Sequence, residues 1–163
     1  VLLIGAAGSG KSTFARKHFK NTEIVSSDAL RAVVSDDEGD QSASADAFEL
    51  LRLIAAMRLR RGRLTVIDAT NVQAAARKSI LSLAEQNSAP AIAIVFNLPM
   101  AICLARNLAR PHRLVSPEVI EKQVTDLMGS LPRLKLEGFR NVYVMDNAED
   151  IESAQLQPEL RNE

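Results

Sequence analysis

Tryptophan is absent from this chain, tyrosine occurs once, and aromatic side chains make up only 4% of its 163 residues. An interior so poor in rings must be filled by Val, Ile, Leu and Ala, and a hydrophobic fraction of 47% is enough for that. Cys103 is the single cysteine, which excludes an internal disulfide. The chain therefore needs no oxidising compartment, and the cytoplasm is its expected location. Net charge is lacking as well, with 20 basic side chains set against 20 acidic ones and a pI near 6.9. Proteins that coat nucleic acid are usually basic, so any nucleic-acid contact here has to come from a local patch. No apolar run approaches the length of a membrane span, and no basic segment precedes the apolar N-terminus, so no membrane contact is expected. The length suits one domain with one core, expected to occupy all of residues 1–163. A start at Val1, directly in a strand, is what an excised domain would have.

What is present is an alternation of apolar runs and amphipathic stretches. That pattern predicts an α/β fold with a parallel sheet of five strands flanked by helices. The strands are expected at Val1–Ile4, Glu23–Val25, Leu64–Asp68, Ala91–Phe96 and Asn141–Met145. Helices are expected at Lys11–Phe19, at 45–61 with Ala47, Leu50, Leu51, Ile54 and Met57 on one face, and at Ala74–Gln86 with Ala76, Ile80, Leu83 and Ala84 inside. A short helix at Met100–Leu108 follows. Another starts at Ser116-Pro117 and buries Ile120, Val124, Leu127 and Met128. Loops are expected at 35–40, which is acidic, and at 109–115. The tail after Asp146 is polar, with the pattern of a frayed helix.

Gly5-Ala6-Ala7-Gly8-Ser9-Gly10-Lys11-Ser12 fits the phosphate-loop pattern G-x-x-x-x-G-K-[ST], between a strand and a helix. Its glycines let successive backbone N–H groups converge on one anion, and the helix N-terminus adds partial positive charge. In this arrangement Lys11 reaches the β- and γ-phosphates of ATP and the Ser12 hydroxyl binds Mg²⁺. Gly8, Ser9, Gly10, Lys11, Ser12 and Thr13 are the expected nucleotide-binding stretch.

The chain has no Asn-Lys-x-Asp element of the kind a GTPase uses to read its base, and Asp68 is followed by Ala69 rather than by the Glu of a motor ATPase. Kinases with a hydroxyl acceptor remain, and these need a base. Asp28, just after the second strand, is the candidate, because ligands collect at such strand ends. Arg31 follows three residues later on the same helical face, placed to hold a phosphate beside the attacking hydroxyl. The same spacing fits an N-cap Asp with a solvated Arg. Arg106, Arg110 and Arg113, at i, i+4 and i+7 around Pro111, fit a lid that neutralises transferring phosphate, and equally a solvated basic face. Asp68 is placed to hold a water on Mg²⁺ with Thr70 or Asn71 lining the site, or to end a strand while Asn71 caps the next helix. Arg58, Arg60, Arg61 and Arg63 crowd a helix C-terminus, where cations are favoured; a polynucleotide track is the sharper alternative.

Taken together, these motifs resemble the kinase domain of the bacterial polynucleotide kinase-phosphatase RNA-repair enzymes and, less closely, that of the bacteriophage polynucleotide kinase. The residues that carry the resemblance are Gly-Ser-Gly-Lys-Ser-Thr-Phe-Ala-Arg-Lys-His-Phe from Gly8, Ser-Ser-Asp ending at Asp28 with Arg31 beyond it, and Val-Ser-Asp-Asp-Glu from Val34. Gly-Arg-Leu-Thr-Val from Gly62, Asp-Ala-Thr-Asn-Val from Asp68, Ala-Ile-Val-Phe-Asn-Leu-Pro from Ala93 and Arg-x-x-x-Arg-Pro-x-Arg from Arg106 continue it. It spans essentially the whole chain. The resemblance implies transfer of the γ-phosphate of ATP to the 5′-hydroxyl end of RNA or DNA in RNA repair. It assigns Lys11 and Ser12 to ATP·Mg²⁺ and makes Asp28 the general base. Arg31 would contact the acceptor's 3′-phosphate, and Arg106, Arg110 and Arg113 would clamp the donor phosphates. It further implies phosphatase and nucleotidyltransferase domains downstream in a full-length protein. The alternatives are a small-metabolite kinase of the gluconate or shikimate type, and a nucleotide-gated binding module without transfer.

Overall fold

The computed structural model describes residues 1–110 and 114–157. Five strands form one parallel sheet: β1 (Leu2–Gly5), β2 (Ile24–Ser26), β3 (Val66–Asp68), β4 (Ile92–Phe96) and β5 (Asn141–Met145), in the order β2-β3-β1-β4-β5. The helices are α1 (Lys11–His18), α2 (Ser27–Ser35), α3 (Ser44–Arg60), α4 (Ala74–Gln86), α5 (Met100–Leu108), α6 (Pro117–Ser130) and α7 (Ala148–Ser153), with 3₁₀ turns at Asn21–Glu23, Gln41–Ala43 and Leu131–Leu136. The five strands and the sequence-expected helices are all present. The third strand starts at Val66, because Leu64 lies half exposed in the turn before it. The tail after Asp146 forms the short helix α7, whose N-cap Asn147 accepts from the Asp150 N–H at 2.8 Å.

Aliphatic side chains on the two faces of the sheet make the core. Leu2, Ile4, Val25, Ile67, Ala93 and Val95 meet α3, α4 and α6 on one face. Leu3, Val66, Ile94 and Phe96 meet α1 on the other, where Phe14 packs edge-on against Phe96 with ring centroids 5.3 Å apart. Two helical faces differ from the sequence expectation. In α3 the buried line is Ala47, Leu51 and Ala55, while Met57 is exposed. A four-residue stride follows the helix more closely than the mixed set of leucines does. In α6, Ile120 and Leu127 are buried and Met128 faces solvent.

A buried arginine organises the link between β3 and α4. Arg77 is fully buried on the apolar side of α4, in line with Ile80 and Ala84. Its Nε and Nη2 donate to the two carboxylate oxygens of Glu137 at 2.7 and 2.6 Å, and its Nη1 donates to the carbonyls of Asn71 and Val72, each at 2.8 Å. Every face of the guanidinium is thus used, and the fork geometry suits a bidentate carboxylate. The dense arginine run ends α3 and leads into β3, so it lies at the opposite end of the parallel sheet from the strand ends that carry the phosphate loop. Arg58 there donates to the Leu64 carbonyl at 2.7 Å, closing the turn into β3. This placement favours the helix-end role over a polynucleotide track.

Removing one partner of a buried, hydrogen-bonded pair leaves the other uncompensated. Arg77→Met is expected to lower unfolding stability by about 3 kcal/mol, seen as a reduced urea midpoint at unchanged slope. An unchanged midpoint would mean that Glu137 and the Asn71 carbonyl are equally well served by water.

Candidate active site

Parallel pairing brings three strand ends together. Asp68, the last residue of β3, lies in register between Leu3 of β1 and Ser26 of β2. The phosphate loop leaves β1 two residues beyond Leu3, and Asp28 lies two residues beyond Ser26. Lys11, Asp28 and Asp68 therefore converge at the C-terminal end of the strands.

The loop's shape is fixed by contacts that only glycine allows. Gly8 has φ +81, and a Cβ there would come within 2.3 Å of the Cys103 carbonyl oxygen on α5. Gly10 has φ +98 and N-caps α1, so the first N–H groups of that helix stay unobstructed. A Cβ on Gly10 would meet Arg106 Nη1 at 3.4 Å, which puts this guanidinium directly over the loop. Lys11 is buried, and its Nζ donates to the Ala6 carbonyl at 2.8 Å and the Ser9 hydroxyl at 3.4 Å. Burial pushes its ammonium down to about 8, while the charges of Asp68 and then Asp28 pull the other way and Arg110 adds to the fall.

Asp28 sits in the first turn of α2. The N-cap is Ser26, whose hydroxyl accepts from the Ala29 N–H at 3.4 Å. The capping alternative for Asp28 is thereby overturned, since a neighbour holds that position. Arg31 is not solvated either. It is buried, its Nη2 pairs with Asp28, and its Nε donates to the Glu38 carbonyl at 2.8 Å. The acidic loop thus turns a backbone oxygen toward Arg31, while its Asp37 and Asp40 carboxylates accept backbone N–H groups within the loop.

Asn71 does not cap α4. The N-cap is Gln73, and Asn71 adopts φ +50 with its amide donating to the Leu3 carbonyl at 2.8 Å. This bond ties the turn after β3 to β1, and the Gly5 N–H donates to the Thr70 carbonyl at 2.9 Å beside it. Arg106 and Arg110 are both half-buried and share a cavity of about 400 Å³ with Gly8, Gly10, Thr13, Phe14, Lys17, Ala148, Ile151 and Glu152. Arg113 lies outside the described residues. A larger groove of about 900 Å³ runs along α4 beside Leu136–Arg140, but none of its walls is a site residue.

Two residues of this region were not expected from the sequence. Asn107, buried on α5 in line with Cys103, donates to the Val115 carbonyl at 2.8 Å and accepts the Val115 N–H at 3.1 Å. It pins both ends of the arginine-bearing loop. On α6, the Gln123 carbonyl accepts the Ala7 N–H at 2.8 Å. The signal for both was a polar residue at a core-facing helical position.

The residues present suit Mg²⁺. It is a hard cation that needs oxygen ligands and usually takes one or two carboxylates together with substrate phosphates and water. Ser12 and the buried Asp68 offer such oxygens beside the loop. No cluster of three or more His, Cys, Asp or Glu side chains that could hold a metal occurs among the described residues.

No helix among the described residues is long and apolar enough to cross a membrane. No curated protein matches the sequence significantly. Solved structures do match. A chain of the Pnkp1/Rnl/Hen1 RNA repair complex aligns over 82% of this chain at 26% identity and a TM-score of 0.71, and this chain spans 45% of that neighbour's length. The fold is also shared with a gluconokinase from Sinorhizobium meliloti 1021, at 15% identity, TM-score 0.56 and coverage of 93% and 83% of the two chains. A shikimate kinase from Bacteroides thetaiotaomicron matches at 14% identity, TM-score 0.54 and coverage of 93% and 91%. A family model described as AAA domain matches residues 1–134. The protein belongs to that AAA domain family, in a fold it shares with P-loop kinases.

Proposed function

We propose that residues 1–163 form a polynucleotide 5′-hydroxyl kinase unit that transfers the γ-phosphate of ATP to RNA or DNA ends. The observation that carries this reading is the Asp28–Arg31 pair, partly buried at the strand ends and close enough for the Asp28 charge to act on Lys11. A carboxylate facing the loop lysine is a base for an acceptor hydroxyl, and an arginine beside it is a grip for a phosphate on that acceptor. The neighbour from an RNA repair complex supports a nucleic-acid end as acceptor. The gluconokinase and shikimate kinase share the fold at lower identity and keep a small hydroxylated metabolite as the second reading.

In the proposed reaction the loop N–H groups, Lys11 and Arg106 hold the donor triphosphate, with Arg110 and Arg113 beside it. Ser12, and Asp68 through water, would hold Mg²⁺, which supplies charge neutralisation between the phosphates. Asp28 accepts the proton of the acceptor hydroxyl as its oxygen bonds to the γ-phosphorus. The bond from that phosphorus to the β,γ-bridging oxygen breaks, and ADP leaves. Arg31 binds the acceptor's 3′-phosphate and aligns the attack. Positioning and electrostatics supply most of the rate in such chemistry.

The deciding assay offers γ-labelled ATP to a 5′-hydroxyl oligonucleotide. Label is expected on the 5′ end; label on gluconate or shikimate with none on the oligonucleotide selects the second reading. Asp28→Asn is expected to lower kcat by roughly 10²–10⁴-fold while ATP affinity is kept. Arg31→Ala should penalise a 3′-phosphorylated nucleoside more than a bare one, and equal losses on both would remove Arg31 from phosphate recognition.

Lys11 gives a pH test that needs no acceptor. Its proton affinity in the free protein is low, at about 8, and the triphosphate's negative charge raises it. About a unit or more below pH 8 the lysine is already charged and binding takes up little. At pH 8.5 binding is expected to take up roughly three-quarters of a proton. Calorimetry in two buffers of different ionisation enthalpy reads this directly, and a zero uptake would contradict a buried Lys11 meeting phosphate.

A further inference from the structure

The peptide unit between Ala6 and Ala7 is held from both sides. Its carbonyl oxygen accepts from Lys11 Nζ at 2.8 Å, and its N–H donates at 2.8 Å to Gln123 Oε1, which comes from α6, far away in sequence. A trans peptide points its C=O and N–H in opposite directions. The lysine and the glutamine therefore sit at opposite edges of one rigid plane. Rotation of that plane would break both bonds together, and hydrogen bonds in series through a peptide polarise one another.

We infer that Gln123 is a positioning residue for Lys11: by accepting the Ala7 N–H it fixes the plane of the Ala6–Ala7 peptide, so that the Ala6 carbonyl holds the lysine ammonium at the phosphate loop. Three features support this. First, Ala6 and Ala7 are buried, so water does not readily replace the glutamine as acceptor for that N–H. Second, Gln123 lies on the core-facing line of α6 between Ile120 and Leu127, where an apolar side chain would otherwise fit. Third, the amide nitrogen of Gln123 donates to nothing among the described residues, so the carbonyl bond to Ala7 is the polar contact that occupies this side chain.

The link has a second consequence. The arginine-bearing loop runs from α5 to α6. At its α5 end the Cys103 carbonyl faces Gly8, where a Cβ would meet it at 2.3 Å. At its α6 end Gln123 holds Ala7. Both helices that flank the loop therefore abut the phosphate loop on adjacent residues. A displacement of α6 would reach the Ala6 carbonyl, and so Lys11, through Gln123. The charged and titratable groups acting on that ammonium are Asp68, Asp28, Arg110 and Cys103, and none of them is on α6. Exchange of the neutral Gln123 for the neutral Met thus reaches Lys11 through the peptide plane and not by direct charge.

The inference rests on Lys11 meeting a triphosphate, but not on the identity of the acceptor. It is tested by ATP·Mg²⁺ binding, measured by calorimetry without acceptor, in wild type, Gln123→Met and Gln123→Glu. Met keeps the length and removes the acceptor oxygen; Glu keeps an oxygen for the Ala7 N–H. Gln123→Met is expected to weaken ATP binding roughly five- to tenfold. Gln123→Glu is expected to restore the affinity. A Met variant with wild-type affinity overturns the inference. So does a Glu variant, folded by its melting temperature, that fails as Met does. Wild-type protein that binds no ATP at all would instead overturn the nucleotide-binding reading itself.

Discussion

Lys11 keeps its ammonium where water barely reaches it, and the structure around it is arranged to make that tolerable. The fall from 10.5 to about 8 corresponds to a cost on the order of 3 kcal/mol for holding the charged form in the free protein. This cost weighs on the folded state at any pH below about 8 and fades as the pH rises toward 10.5. Asp68 and Asp28 already hold that net cost below what burial alone would impose, and the Ala6 carbonyl accepts a hydrogen bond from the ammonium. A triphosphate would offset the rest. The residual strain in the free protein is thus what makes an incoming anion welcome at this point of the surface.

Much of this was legible in the sequence because its signals are local. A glycine loop between an apolar strand and a helix has few other uses, and continuous aliphatic runs mark the strands of a parallel sheet. Asp28 and Arg31 were legible as a pair, but not as a buried pair. Two features decide that, the Ser26 cap and the Glu38 carbonyl, and neither has a spacing rule that points to it. Arg77, Asn107 and Gln123 were missed for a common reason. Each is a polar residue on the inward face of a helix whose partners are backbone groups or a carboxylate distant in sequence. Burial of such a group costs free energy unless its hydrogen bonds are satisfied, so a polar side chain on an apolar stripe implies a partner without naming it. Met57 and Met128 show the converse. Periodicity placed them on buried faces, yet the helices bury smaller or neighbouring side chains there and leave the flexible methionines outside.

The zero net charge and the position of the arginine run bear on what kind of acceptor fits. A protein that tracks along nucleic acid neutralises many phosphates and needs a continuous basic surface. Here Arg58, Arg60, Arg61 and Arg63 stand at the far end of the sheet from the phosphate loop, and an acidic loop borders Arg31. On the proposed acceptor side, among the described residues, one buried arginine stands beside one carboxylate, while Arg106 and Arg110 face the phosphate loop. Such a pair would suit a single phosphate next to a hydroxyl rather than a duplex.

End recognition needs no more than this. A terminal nucleotide presents one hydroxyl and, one sugar away, one phosphate, and the Asp28–Arg31 pair is spaced by a single helical turn. In the free protein Arg31 is engaged with Asp28 and Glu38, so an acceptor phosphate has to compete for it. An acceptor lacking that phosphate would find the Asp28 carboxylate still engaged by the arginine. Pairing of base and anchor therefore acts as a filter: the proposed site responds to a hydroxyl and a phosphate presented together, and a small metabolite qualifies only if it carries both.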